Sequence, residues 1–283
     1  MIVSAAIRAA AEQLAPTSDS CRLDAEVVMA HALGVTRSDL LLRHMEDEEP
    51  AAFAALVKRR LAHEPVAYIT GEQDFFGLSL VVSPAVLIPR GDSEVLVEAA
   101  LAARPDALRV LDCGTGSGAL LLAVLENLPE AHGVGIERSA KALAVARSNA
   151  ETLGLANRAD LRRADWGTPG WATGLGRFDL ILANPPYVED ATDLAPSVRA
   201  HEPAEALFAG PDGLRDYRVL MPQLPGLLTH GGIALIEIGH TQAASVSEIA
   251  AGAGLAATLH HDLAGRPRVL ELNISLGKAA LRA

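Results

Sequence analysis

Cysteine is scarce in this chain of 283 residues, which holds two, Cys21 and Cys113. Neither CxxC nor metal-ligand spacing occurs, so no disulfide framework is implied, and both read as buried, reduced thiols. Positive charge is scarce as well. Lys and Arg number 24 against 35 Asp and Glu, a net charge of −11, which works against a large nucleic-acid footprint because phosphate binding rests on clustered Lys and Arg. Long apolar runs are missing too. The stretch Ala119 to Leu125 ends at Glu126, far short of a membrane span. Arg8 and Glu12 interrupt the Ala-rich start, unlike a signal-peptide core. None of the nine histidines has an evident Ser or Cys partner for a nucleophilic triad. His260 and His261 are neighbours that a strand would point to opposite faces, so no metal site is expected. The expectation is a soluble, cytoplasmic protein without a metal.

Hydrophobic residues make up 50% of the chain but aromatics only 4%, which suggests closely packed helices on a sheet. Residues 1 to 64 read as four helices. Ser4 to Leu14 places Ile7, Ala10, Ala11 and Leu14 on one face. Leu23 to Leu33 stops at Gly34, and Thr36 caps a short helix through His44. In the fourth helix Phe53, Leu56, Val57 and Leu61 form a stripe, with Lys58, Arg59 and Arg60 beside it as a solvated face. Texture changes at Pro65. Val66 to Val82 is β-prone with turns at Gly71 and Gly77, a hairpin linking two domains. Asp92 is placed to cap the helix that runs to about Ala103. Arg90 and Glu202 are each readable as surface charges or ligand contacts.

From Arg109 strands and helices alternate, which argues for a doubly wound, mostly parallel sheet. Asp112 closes one strand, and Cys113-Gly114-Thr115-Gly116-Ser117-Gly118 opens the next helix. Such a loop lets a ligand approach backbone N–H groups at a helix start. Gly133 to Glu137 is a strand ending in a carboxylate suited to a ribose hydroxyl pair. Asp165 can accept from an exocyclic amine, and Trp166 can cover a flat ring. Phe178 to Leu182 reads as a buried strand, followed by Ala183-Asn184-Pro185-Pro186-Tyr187. Asn184 offers a carbonyl acceptor that cannot ionise, the prolines lack N–H groups, and Tyr187 offers an aromatic face. Two acceptors and a ring suit a planar NH2 group. Glu237, after another strand, remains open in role.

This order of parts resembles the class I S-adenosylmethionine-dependent methyltransferases, and within them the HemK/PrmC release-factor glutamine methyltransferases. The likeness runs through Phe75-Phe76-Gly77, Leu87 to Glu94, Asp112 to Gly118, Asn184 to Tyr187, Glu202 to Leu207, Asp212-Gly213-Leu214, Glu237-Ile238-Gly239 and Asp262 to Arg268. Gly91, Ser93, Cys113 and the pair Glu137-Arg138 depart mildly from the family pattern. Pro222 and Pro225 interrupt an otherwise helical Leu214 to Leu228.

The resemblance implies a Rossmann-like methyltransferase domain over 85–283, a helical substrate-recognition domain over 1–64 and a β-hairpin linker over 65–84. S-adenosyl-L-methionine would be held by Gly114, Thr115, Gly116, Ser117 and Gly118, with Glu137, Asp165, Trp166 and Asn184, and would leave as S-adenosyl-L-homocysteine. Asn184, Pro185, Pro186 and Tyr187 would bind the substrate amide and promote transfer to it. The implied partner is the Gly-Gly-Gln loop of peptide chain release factors, met by a monomer, with neither membrane nor nucleic acid involved. A ribosomal-protein glutamine methyltransferase, an adenine or guanine amino-methyltransferase of nucleic acid, and a non-catalytic cofactor-binding module are the alternatives.

Overall fold

The computed structural model describes residues 1–275, so the last eight of the expected 85–283 domain lie outside the described residues. The chain divides into two compact units: residues 1–72 with 82–84 and 194–202, and residues 73–81 with 85–193 and those from 203 on.

The first unit is helical. Helices α1 (Val3–Leu14), α2 (Cys21–Leu33), α3 (Arg37–Arg43) and α4 (Phe53–Leu61) bury Ile7, Leu14, Met29, Leu40, Phe53 and Val57 in one core. Gly34 ends α2, and the Thr36 hydroxyl accepts from Asp39 N, satisfying one free amide of α3. Two sequence expectations change here. Arg60 does not lie on a solvated face: its Nε donates to Asp24 Oδ2 at 2.7 Å with both side chains largely buried. Arg59 grips Glu64 with two N–H groups. Residues 66–70 form a helical turn, α5 (Val66–Thr70), in place of strand. Pro65 presets the backbone for a helix start, and the turn carries Ile69 into the helical core, which a flat strand would leave half exposed.

In the second unit the hairpin β1 (Glu72–Phe75) and β2 (Leu78–Val81) precedes a seven-stranded sheet, β1 beginning one residue earlier in the first unit. Its strands are β3 (Arg109–Cys113), β4 (His132–Glu137), β5 (Ala159–Arg163), β6 (Phe178–Ala183), β7 (Leu228–Glu237), β8 (Leu255–His261) and β9 (Pro267–Ile274). Their order is β5-β4-β3-β6-β7-β9-β8, parallel from β5 to β7, with β9 antiparallel to both neighbours. Alternate residues feed opposite faces. Val110, Leu180, Leu182 and Leu235 face α6 (Glu94–Ala103), α7 (Ala119–Asn127) and α8 (Ala140–Thr152). Leu111, Ile181, Ala183 and Ile236 belong to the other face, packed with Tyr217, Leu224 and Val246. The short α9 (Pro196–Arg199) belongs to the first unit. On the second face α10 (Arg215–Leu220) and α11 (Leu224–Leu227) are separated by a 3₁₀ turn at Pro222, and α12 (Ala243–Gly252) follows β7. The doubly wound sheet expected from the alternation is the observed one. Strand order reverses between β3 and β6, the sheet growing first to one side of β3 and then to the other, and such sheets open their ligand crevice at that point.

Candidate active site

The loop after β3 and the loop after β6 leave the sheet side by side, since Cys113 pairs with Ala183. A cleft of about 970 Å³, including its open mouth, lies above this point. Gly114, Thr115, Gly116, Ser117, Glu137, Asp165, Trp166, Asn184 and Pro186 all line it. Gly118, Pro185 and Tyr187 do not; Gly118 instead starts α7.

Each lining residue is fixed by its own partners. Gly114 has φ +79°, and a Cβ there would sit 3.0 Å from the Trp166 ring, so the loop and the indole need a glycine between them. Glu137 receives Gly116 N at 3.1 Å on one carboxylate oxygen and Ser139 N at 2.8 Å on the other. Each oxygen keeps a second lone pair for a ligand hydroxyl. Asp165 accepts from Gly167 N at 2.8 Å. Below the loop, Asp112 is buried and accepts from the Thr115 hydroxyl at 2.6 Å. Burial pushes its carboxyl up to about 7, against the Thr115 hydrogen bond and with help from the Glu137 charge.

Asn184 ends β6 beside the loop, and its Nδ2 donates to Ser93 Oγ at 3.4 Å. Tyr187 is turned inward: its hydroxyl donates to Glu237 Oε1 at 3.3 Å, and burial raises its pKa well above the usual phenol range. Glu237 is fully buried at the end of β7, and burial raises its pKa against hydrogen bonds from Ser93 and Tyr187 and the charge of Arg268. Gln242 ties the Tyr187 carbonyl to that of Gly213.

Sequence reasoning missed several of these parts. Asp92 does not cap the following helix; its carboxylate receives Arg268 Nη2 at 2.8 Å, across 176 residues. Arg90 and Ser93 line the cleft, as do Pro203, Glu205 and Ala206. Glu202 belongs to the other compact unit. The runs 87–94 and 202–207 carried the signal, but without roles. Arg138, exposed beside Glu137, donates to the Glu205 carbonyl at 2.6 Å, a contact across 67 residues that no local pattern announces. His260 pairs with Glu271, and among the described residues no group of His, Cys, Asp or Glu is placed to hold a metal.

Strand order and a glycine loop facing an acid and an indole define a Rossmann-like methyltransferase domain. A family model described as a methyltransferase domain matches residues 105–254, and one described as the PrmC N-terminal domain matches residues 5–71. The release factor glutamine methyltransferase of Caulobacter vibrioides is 42% identical over 245 residues, 83% of each chain. That of Geobacter sulfurreducens is 44% identical over 233 residues, 81% of this chain and 80% of the relative. That of Cereibacter sphaeroides is 41% identical over 277 residues, 95% of this chain and 97% of the relative. The chain belongs to the release factor glutamine methyltransferase family.

Proposed function

We propose that the protein transfers a methyl group from S-adenosyl-L-methionine to the side-chain amide nitrogen (N5) of the glutamine in the Gly-Gly-Gln loop of peptide chain release factors. The observation that carries the reading is the placement of Asn184 at the reversal of strand order, next to the glycine loop. The cofactor, when bound, supplies a methyl group activated on a positively charged sulfur. The residues present fit it. The loop Gly114 to Gly118 admits a ligand close to its backbone, Glu137 keeps free lone pairs for a ribose, and Trp166 and Asp165 suit an adenine ring and its amine.

An amide nitrogen is a poor nucleophile because its lone pair is shared with the carbonyl. The Asn184 side-chain oxygen and the Pro185 carbonyl accept both of its N–H groups, fix the nitrogen and draw electron density toward it. Pro185 and Pro186 stiffen that backbone, and Tyr187, held by Glu237, supports it from below. Acceleration then comes from orientation and preorganised dipoles, and no strong base is needed before transfer because the proton leaves afterwards. The net charge of −11 favours a protein over a nucleic-acid substrate.

The test is transfer of labelled methyl to a purified release factor, beside its loop Gln→Ala variant, total RNA and DNA. Label on the wild-type factor alone supports the reading. Label on nucleic acid alone overturns the substrate but keeps the Asn184 chemistry.

A further inference from the structure

A chain of polar groups runs from Asn184 through Ser93, both on the cleft wall, to Glu237 buried beneath them. Asn184 Nδ2 faces Ser93 Oγ at 3.4 Å, and the Ser93 hydroxyl hydrogen-bonds the Glu237 carboxylate. Ser93 is 4% exposed and Glu237 1%, so water does not compete for either. Ser93 Oγ accepts from Asn184 Nδ2, so it meets Asn184 with a lone pair and its own O–H is free to donate to the Glu237 carboxylate. That lone pair selects one of the two orientations of the Asn184 amide, with NH2 toward Ser93 and Oδ1 turned away from it. The opposite orientation would set the Ser93 lone pairs against Oδ1 and present donors to a substrate that itself brings donors.

We propose that Ser93 and Glu237 are positioning residues that fix the Asn184 amide with its oxygen as the acceptor for the substrate. This rests on the methyl-transfer reading above. Tyr187 donates to Oε1 of the same carboxylate, so one acid is tied to both ends of the Asn184-to-Tyr187 segment. Arg268 stands behind it, bonded to Asp92 and Asp262 and acting on Glu237 through its charge. Glu237 Oε2 has no hydrogen-bond partner, nor has Arg268 Nε. A buried acid left half satisfied costs stability, and orientation of the reacting segment is the gain that offsets it.

The variants Ser93→Ala, Ser93→Thr and Glu237→Gln separate this from a packing role. Ser93→Ala should lower kcat roughly 10- to 100-fold, the order for losing alignment at a reacting centre, with cofactor Kd and release-factor KM within about threefold. Ser93→Thr keeps the hydroxyl and should return kcat to within about threefold of wild type. Glu237→Gln can donate to Ser93, removes the fixed polarity and should resemble Ser93→Ala. A readout without turnover is the side-chain amide of Asn184 in the ¹⁵N spectrum of the free protein, assigned by its loss in Asn184→Asp. Its proton exchange should quicken about tenfold or more in Ser93→Ala and stay slow in Ser93→Thr. Unchanged exchange in Ser93→Ala, or a kcat that Ser93→Thr fails to restore, overturns the proposal. A wild-type protein inert toward release factors would sink the substrate reading instead, and amide exchange would still decide the role of Ser93.

Discussion

Asn184 combines two properties the reaction needs, a strong acceptor and a charge that cannot change with pH. If its contact with the substrate amide tightens mainly in the transition state, Asn184→Ala should lower kcat by roughly 10²–10³, the order for one preorganised polar contact. Cofactor Kd by calorimetry should stay within about threefold, and a loss of kcat under threefold would remove Asn184 from the chemistry. Asp112 makes a different prediction. Its carboxyl is raised to about 7 in the fold from an ordinary aspartate value in the unfolded chain, so the folded state holds the extra proton between the two. Stability contributed by this group is therefore full at low pH and falls as pH rises toward 7, then levels off. Asp112→Asn cannot titrate. Relative to wild type it should gain about 2–3 kcal/mol between pH 5 and pH 8, at ~1.4 kcal/mol per unit, measured by urea unfolding. A difference that stays flat with pH would show that Asp112 is ionised throughout.

Among the elements, the turn before α10 holds the reactive segment from outside the cleft. Gly213 has φ +66°, and a Cβ there would run into the Tyr187 carbonyl and lie 2.7 Å from Gln242 Nε2. Gly213→Ala should cost roughly 2–4 kcal/mol, from backbone strain plus a broken buried hydrogen bond, and lower kcat with it; Gly210→Ala, where a Cβ meets only Arg215 Cβ at 3.7 Å, controls for strain alone. Equal unfolding midpoints in the two variants would refute the clash. The run Asp212-Gly213-Leu214 was legible as a family feature, but its purpose was not. The glycine loop and the Asn184 segment could be read because each acts within a few consecutive residues at a strand end. Partners such as Ser93, in the turn before α6, and Asn184, just past β6, are 91 residues apart and meet only through the tertiary fold, which sequence periodicity does not report. Residues 66–70 misled for a related reason. Val66, Tyr68 and Ile69 favour strand locally, and burial of Ile69 in the helical core outweighs that preference. Arg60 was misread because a charge run gives no sign of a buried partner 36 residues away.

For the whole molecule, every residue lining the cleft belongs to the second compact unit, while the first is helical and matches the PrmC N-terminal model. No helix among the described residues is long and apolar enough to cross a membrane. This division predicts that damage to the helical unit separates substrate capture from cofactor binding. Asp24 is the place to make it, since it is 6% exposed and accepts from Arg60 at 2.7 Å, Ser18 at 2.7 Å and Ser20 at 2.8 Å. Asp24→Ala leaves the Arg60 charge buried without its partner, a loss on the order of 3–5 kcal/mol. In the full-length variant, calorimetry should show an early transition absent from wild type. Below that transition cofactor Kd should stay within about twofold; as the helical unit melts, release-factor KM should rise while cofactor still binds. A cofactor Kd that weakens in step with KM would mean that the cleft depends on the helical unit for its shape, and the division of labour would fail.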